Sequence, residues 1–287
     1  MEISVKDSSQ SILGIQPIEK SIKSVWADEF SLPGRTGQPY ATCGSWLSEG
    51  CLNVIEHNQE TLDGQGPVGK VYVRRYQMSC KRAVCPVCFR SWARAEAEKI
   101  DYRLKAWRSK KKMKVIHVSI SPPLKDVLSL SYSNLRKKAY KVARKHGFIG
   151  GSLIFHPFRK RYNAWVFSAH FHLLGYGWIR NVAENFKAEG WIVKNHGIRK
   201  SVKATAFYQL THAGIHDTYH SVTWFGSLAY NKLKISPMPE PEPFRCPICR
   251  KKLVPLMYVG DEKLPEKAGF YWLEPDGFFE SVRFGIA

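Results

Sequence analysis

Two histidines, a tyrosine and a third histidine are spaced so that they could hold a metal ion and attack a phosphate. His170 and His172 lie two residues apart in an apolar run that predicts a β-strand. Because side chains alternate between the faces of a strand, both imidazoles are expected on one face, where they could bind a divalent metal. Tyr208 and His212 are one turn apart in a segment that can be helical, so they share a face. A hydroxyl nucleophile beside a metal could cleave a phosphodiester.

Each of these residues also has a purely structural interpretation. A histidine pair in a strand can be a hydrogen-bonded polar group, and Tyr208 can be an aromatic that packs on the sheet. Tyr219 and Tyr230 are rival nucleophiles, but neither has a metal-ligating residue four positions later. His212 therefore favours Tyr208 as the nucleophile.

The charge of the chain indicates a polyanionic partner. It contains 44 Lys and Arg against 24 Asp and Glu, a formal net charge of +20, and nucleic acid is the commonest partner of such a protein. A basic surface that serves only solubility is the alternative. The hydrophobic content of 44% is enough for a core, and no apolar run approaches the ~20 residues that span a bilayer. We therefore expect no membrane partner. Because the N-terminus lacks an apolar signal segment, we expect a cytoplasmic location.

Strands and helices alternate through the middle of the chain. Apolar residues at spacings of three and four predict helices, and period-two patterns predict strands. Helices are predicted over 89–107, 133–147, near 182–190 and around Tyr208. Strands are predicted over 70–78, 114–121, 150–159, 164–178 and 191–198. This order predicts an α+β fold, an antiparallel sheet with helices on one face, accompanied by zinc-binding cysteine-rich segments.

Composition divides the chain into four predicted parts. Residues 1–40 are polar and irregular and are expected to be a flexible lead-in. Residues 41–112 form a zinc-binding region with a helix, and 113–235 form the domain that carries the histidines. Residues 236–287 begin with a Pro-rich linker and continue into a second zinc-binding segment.

Seven cysteines predict structural zinc. In a cytoplasmic chain they favour metal binding over disulfides, and two Cys-x-x-Cys pairs, 85/88 and 246/249, have the spacing of zinc half-sites. Two four-ligand sites need one further ligand, for which His57 is the best placed. The candidate zinc ligands are Cys43, Cys51, Cys80, Cys85, Cys88, His57, Cys246 and Cys249. Which of them share an ion stays open: Cys43 and Cys51 could form an upstream pair, and two of His212, His216 and His220 could complete the last pair.

Basic residues in the middle of the chain are candidates for binding the phosphates of a nucleic-acid backbone. Each of them could instead belong to a solvated helix face or loop. They are Arg159, Lys160, Arg161, Lys137, Lys138, Lys141, Arg144 and Lys145. Phe158, Tyr162 and Trp165 lie close to them in the sequence and could stack on unpaired bases, or form part of the core.

Three motifs in order give the chain a resemblance to a known group. His170-Phe171-His172, in AHFHLLGYG, resembles the signature of the HUH superfamily of single-strand nucleases, which includes rolling-circle replication initiators, relaxases and some transposases. IHVSISPP resembles the first motif of the initiators, and AFYQLTHAG their nucleophile motif. The cysteine-rich segment before these motifs, with FHPFR and HSVTWFG, is similar to replication initiators of archaeal plasmids and viruses, over roughly 43–249. Many initiators have a lysine near the nucleophile where this chain has His212.

The resemblance implies an HUH nuclease with an RRM-like sheet. It implies Mn²⁺ or Mg²⁺ on His170, His172 and His212, and Tyr208 as the nucleophile that forms a 5′-phosphotyrosine with single-stranded origin DNA. The freed 3′ hydroxyl would prime rolling-circle replication of a plasmid or virus. A host DNA polymerase and a helicase are implied partners, since the chain has no Walker A motif for an ATPase of its own.

Two other functions stay open at this point. An HUH-type transposase would use the same chemistry on hairpin ends, although such proteins are typically smaller and lack the cysteine-rich segment. A zinc-stabilised DNA-binding regulator would keep the histidine pair as a structural element and would bind DNA without cutting it.

Overall fold

The chain divides into two compact units whose bounds differ from the predicted parts. The computed structural model describes residues 26–53, 70–108, 112–180, 186, 188–274 and 277–282. Unit 1 comprises Met1–Gln38 and Lys81–Met238, and unit 2 comprises Pro39–Cys80 and Pro239–Ala287. The two segments expected to be separate zinc-binding regions thus contribute to one unit, because their strands pair with each other. The Pro-rich stretch does contain a unit boundary.

The elements largely follow the predicted order. The helices are α1 (Phe89–Arg108), α2 (Leu124–Ser129), α3 (Tyr132–Lys145) and α4 (Val202–Leu210), preceded by a 3-10 turn at Ala27–Glu29. The strands are β1 (Trp46–Cys51), β2 (Val71–Gln77), β3 (Ile116–Ser121), β4 (Phe148–Arg161), β5 (Ala164–Gly177), β6 (Ile192–Ile198), β7 (Val222–Gly226), β8 (Val254–Val259), β9 (Gly269–Leu273) and β10 (Phe278–Ser281). The helix predicted near 182–190 lies mostly outside the described residues.

Unit 1 is built on a five-stranded antiparallel sheet with the order β6-β3-β5-β4-β7. Its centre is the long hairpin of β4 and β5, joined at Tyr162 and Asn163 between the paired residues Arg161 and Ala164. Tyr162 has a positive φ of 52°, as the first position of a tight hairpin turn requires, and it is almost fully exposed. The predicted hairpin is therefore confirmed.

Helices cover both faces of this sheet, which corrects the prediction that they cover one. Phe171 and Leu173 of β5 point to the face on which α3 packs through Leu135. Leu174, which alternates with them, points to the other face, where α1 and α4 pack together through a second core. The sequence placed α1 in a separate zinc-binding region, but its apolar stripe is a covering layer of this sheet.

Part of the predicted lead-in belongs to the core of unit 1. Trp26 and Phe30 are buried between α3 and the sheet, and the two rings meet edge to face at 6.1 Å. The Trp26 indole donates to the carbonyl of Leu130 at 2.9 Å. Trp26 and Phe30 are therefore held by packing, while residues 1–25 lie outside the described part of the chain.

Unit 2 is a second five-stranded antiparallel sheet, with the order β10-β8-β1-β2-β9. One of its faces buries Val73, Leu256 and Phe279 as a small core. With two antiparallel sheets and few helices, the protein is α+β as predicted. Within the described residues, none of the helices combines the length and the apolar character that a membrane crossing needs.

Candidate metal centre and nucleophile

Three histidines converge on the face of the unit 1 sheet that α1 and α4 cover. His170 and His172 project from β5 on the side opposite Phe171, as their spacing predicts. His156, from the neighbouring strand β4, joins them, and one ligand nitrogen of each lies within 4.8 Å of the others. The third histidine of this group is thus His156, whereas the sequence predicted His212.

His156 shares this face with Ile154 by alternation along β4, and a β-bulge separates both residues from the register of the hairpin turn. The hairpin pairs Arg161 with Ala164, and an unbroken register would set His156 opposite Ala169, on the face away from His170. The register shifts between His156 and Phe158, at Pro157, so that His156 pairs with His170 instead. Proline cannot donate to a strand ladder, and bulges are among the few places where a sheet tolerates it.

The hydrogen bonds of His170 and His172 leave the same nitrogen of each ring available. His170 Nδ1 lies 2.6 Å from the carbonyl oxygen of Ser168, so it carries the proton and donates. His172 Nδ1 lies 2.8 Å from His117 Nε2. With His172 as the donor in that bond, the Nε2 lone pairs of both rings are free for a metal.

His156 completes the pattern. It is buried, it hydrogen bonds to the backbone of Gln209 on α4, and its Nε2 has no partner among the described groups. An unsatisfied buried nitrogen is costly, and a metal ion would satisfy it. The three rings therefore fit a divalent metal, for which neutral imidazole is a suitable ligand.

Burial keeps these imidazoles neutral, as metal ligation requires. Desolvation lowers the pKa of His170 to about 4, and the nearby Arg159 cation acts in the same direction. For His156 and His172, burial first and neighbouring histidines second hold the pKa well below its ordinary value. At neutral pH the lone pairs are therefore not occupied by protons.

The histidine cluster continues onto β3 and β6. His117 stacks on His196, with ring centroids 4.3 Å apart, and Ser119 Oγ lies 2.9 Å from His196 Nε2. Burial, followed by the positive potential of His196 and Arg199, lowers the pKa of His117 to about 3. His117 therefore stays neutral and can accept the proton of His172 Nδ1. In the sequence, His117 lies in IHVSISPP and alternates with the apolar residues of β3, a pattern that could have placed it on the histidine face.

Tyr208 lies on α4, as predicted, and its side chain is 67% exposed. Its ring lies 4.9 Å from that of His212, which lies 6.3 Å from the ring of His156. The His212 ring is also 5.5 Å from Trp165. His212 Nδ1 lies 3.0 Å from the carbonyl oxygen of Tyr208, so its Nε2 is the nitrogen left for other chemistry. His212 thus stands between the tyrosine and the three histidines.

The predicted DNA-binding residues fall into two groups, one at the end of β4 and one on α3. Arg159 lies beside the histidines: its guanidinium is 3.4 Å from His170 Nδ1 and 3.1 Å from Ser121 Oγ. Lys160 and Arg161 follow it on β4 and are exposed. The second group lies on α3, which packs on the other face: Lys137, Lys138, Lys141, Arg144 and Lys145.

Two members of the α3 group have acidic partners within unit 1. Lys138 forms an ion pair with Asp126 at 2.8 Å, and Lys145 with Glu189 at 2.7 Å. Their position and these partners separate them from the histidine cluster, whereas Arg159 lies beside it. Of the candidate stacking residues, Trp165 is the one that lies beside His212.

The cysteines of unit 2 form a cluster that could bind a metal such as zinc. Cys51, Cys246 and Cys249 place their sulfur atoms within 4.8 Å of one another, and the Cys51 and Cys249 sulfurs are 3.4 Å apart. Burial, with the two neighbouring thiols, raises the pKa of Cys51 to about 12, a shift that a bound cation would reverse. The proposed fourth ligand, His57, lies outside the described residues.

The other four cysteines form two close pairs, one in each unit. Cys85 and Cys88 precede α1, whose first backbone N–H groups donate to their carbonyl oxygens, and their sulfur atoms lie within 4.8 Å of each other. Cys43 and Cys80 approach each other equally closely in unit 2. Cys43 therefore pairs with Cys80 and not with Cys51, which corrects the upstream pair considered from the sequence. All seven cysteines are described and none is in a disulfide.

His216 and His220 are not part of the three-cysteine cluster, whose third member is Cys51. His216 lies 3.1 Å from Glu29 and 4.9 Å, ring to ring, from Phe30.

Comparisons with protein-family models, with curated proteins and with solved structures gave no significant match.

Proposed function

We propose that unit 1 is a metal-dependent nickase of the HUH type, and that the protein initiates rolling-circle replication of a plasmid or virus by nicking and rejoining single-stranded origin DNA. The observation that carries this proposal is the convergence of three neutral imidazoles, from His156, His170 and His172, beside a helix that bears an exposed tyrosine. The unit 1 sheet is antiparallel, which is consistent with this proposal.

The three Nε2 atoms would hold Mn²⁺ or Mg²⁺. Imidazole ligands favour Mn²⁺ of the two. When bound, the ion supplies Lewis-acid stabilisation of the charge that develops on the oxygens of the scissile phosphate. His117 is a positioning residue here, since it fixes the orientation of His172 through Nδ1.

Tyr208 is the proposed nucleophile. Its phenolic oxygen forms a bond to the 5′ phosphorus, the bond from phosphorus to the 3′ oxygen breaks, and the 3′ oxygen leaves and takes up a proton. The phenolic proton passes to a base, for which His212 Nε2 is the nearest candidate ring. The phosphotyrosine link conserves the energy of the diester, so the strand can be rejoined without ATP.

The charge distribution supports a DNA strand as the substrate of unit 1. This unit holds 34 of the 44 Lys and Arg but only 12 of the 24 Asp and Glu. Arg159, Lys160 and Arg161 are exposed at the end of β4, where they could contact phosphates, and Arg159 lies next to His170. A host polymerase would then extend the freed 3′ end while a host helicase unwinds the duplex, and zinc on the cysteines would have a structural role.

The test is a covalent adduct between the protein and single-stranded DNA. Incubation of the full-length chain and Mn²⁺ with single-stranded origin DNA should give an adduct that persists in SDS, and mass spectrometry should place it on Tyr208. Tyr208→Phe should lose the adduct entirely, because it removes the attacking oxygen.

Tyr230→Phe is the matched control. Tyr230 is also in unit 1 and is similarly exposed, 63% against 67% for Tyr208, but it lies outside α4. It should form the adduct at the wild-type rate. DNA binding without an adduct on any origin sequence and with either metal would support the zinc-stabilised regulator and refute the nickase.

A further inference from the structure

One face of the unit 2 sheet carries a row of aromatic side chains and an arginine. Tyr72 and Arg74 alternate with core residues on β2, and their partners across the ladder are Trp272 and Phe270 on β9. Directly paired residues of antiparallel strands point to the same face, so these four side chains lie together. Phe244, from the segment before the Cys246–Cys249 pair, contacts this row, and we call the five residues the aromatic face.

The rings of the aromatic face contact one another in sequence. Tyr72 stacks on Phe270, with centroids 5.7 Å apart and planes 12° from parallel, and it lies 4.8 Å from Trp272. Phe270 lies 5.3 Å from Phe244. The Arg74 guanidinium lies over the Phe244 ring, 3.9 Å from its centroid. Flat groups thus form a continuous surface.

The inner and outer parts of this surface differ in burial. Tyr72 and Trp272 are partly buried, because they pack against the three-cysteine cluster. Phe244 and Phe270 are 43% and 47% exposed. The core of unit 2 lies on the other face, with Val73 and its neighbours, so the exposed rings are not needed to fill that core. Half-exposed phenyl rings, with Phe270 on a strand and Phe244 packed against it, are suited to stacking on a planar ligand.

Positive charge is concentrated in the chain directly after Phe244. Unit 2 as a whole is close to neutral, with ten Lys and Arg against twelve Asp and Glu. Four of the ten fall within the eight residues that directly follow Phe244, and all four are exposed: Arg245, Arg250, Lys251 and Lys252. A ligand that combines flat rings with regularly spaced negative charges would match this arrangement.

We propose that the aromatic face of unit 2 binds an unpaired stretch of DNA, with bases stacked on Phe270 and Phe244 and phosphates held by the basic residues of 245–252. Duplex DNA is a poor ligand, because its bases are already stacked on one another. This surface belongs to unit 2, and its binding of DNA does not depend on whether Tyr208 of unit 1 cuts the strand.

The test is a crosslinking and binding experiment on the full-length chain with Tyr208→Phe as background, so that no strand is cut by that residue. A 20-nucleotide single strand that contains 5-iodouracil is irradiated with the protein, and the crosslinked peptides are mapped by mass spectrometry. Crosslinks should appear at Phe244 or Phe270. Phe270→Ala should remove the crosslinks in unit 2 and weaken binding of the single strand by about tenfold.

Phe278→Ala is the matched control, since Phe278 is 57% exposed on β10, at the opposite edge of the same sheet. It should leave crosslinks and affinity unchanged, and Phe270→Trp should retain both, because a larger ring still stacks. Zinc content should be equal in all three variants, which separates lost stacking from lost folding. Crosslinks confined to unit 1, or equal effects of Phe270→Ala and Phe278→Ala, would overturn the proposal whether or not the nickase proposal holds.

Discussion

At the scale of single residues, the metal-binding capacity of the histidine cluster depends on the hydrogen bond that each ring makes through one of its nitrogens. The Nδ1 atom of His170 hydrogen bonds to the carbonyl oxygen of Ser168, and the Nδ1 atom of His172 hydrogen bonds to His117. His156 hydrogen bonds to the backbone of Gln209. Because each ring has one nitrogen engaged inside the protein, its Nε2 is oriented before any ligand arrives. Such preorganisation reduces the free-energy cost of binding a metal.

The period-two pattern was sufficient to predict His170 and His172, but not His156. Alternation along β4 sets His156 on the same face as Ile154, but its pairing with His170 depends on a one-residue register shift at Pro157, which neither composition nor period specifies. His212 was favoured because its spacing from Tyr208 is visible in the sequence. The structure places it beside the tyrosine, with its ring 6.3 Å from that of His156.

Substitutions of His117 can test whether this residue orients His172 for metal binding. His117→Leu removes the acceptor for His172 Nδ1 and should weaken binding of Mn²⁺ by about 10- to 100-fold. His117→Gln keeps an acceptor at a similar reach and should restore most of the affinity. Titration calorimetry with Mn²⁺ measures both. Equal affinities for wild type and His117→Leu would show that His117 does not orient the ligand.

At the scale of elements, local signals predicted most of the strands and helices of unit 1, whereas the layer arrangement depended on distant contacts. The apolar stripe of α1 was visible, but nothing in its own sequence states that it packs with α4 on the histidine face. Likewise, β1 and β8 pair through Ser48 and Leu256, which are about 200 residues apart in the chain. Pairing at such separation is decided by the whole core, so the composition of each segment could not indicate it.

The helix that carries Tyr208 depends on its N-cap. Ser201 Oγ accepts from the backbone N–H of Ala204 at 3.1 Å, and Ser201→Ala should cost about 1 kcal/mol of the free energy of unfolding. Since α4 positions both Tyr208 and the Gln209 contact to His156, the variant should also slow formation of the DNA adduct.

Ser131→Ala is the matched control for this cap. Ser131 caps α3, on the other face of the sheet, by accepting from Asn134 at 3.4 Å. It should lower stability by a similar amount, measured by urea unfolding, without slowing the adduct. If both variants slow the reaction equally, the effect of Ser201 is one of general stability and not of the position of Tyr208.

At the scale of the whole molecule, positive charge and metal ligands are distributed differently between the two units. Unit 1 holds the large excess of basic residues and the histidine cluster, whereas unit 2 is nearly neutral and holds the cluster of Cys51, Cys246 and Cys249. The ligands differ in kind as well. Thiolates favour zinc, while buried neutral imidazoles suit a divalent ion that takes part in chemistry. This difference predicts that the two kinds of site can be emptied independently.

Cys51→Ser tests that independence. The variant breaks a cluster that joins β1 to the segment before β8, so it should lower both the zinc content per chain and the thermal midpoint, because structural zinc contributes directly to folding. The double variant His170→Ala with His172→Ala should keep the full zinc content and lose the Mn²⁺ site and the adduct. Elemental analysis of the purified chains measures zinc, and thermal unfolding measures the midpoint. Zinc lost from the histidine variant but retained in Cys51→Ser would reverse the assignment of the two metals.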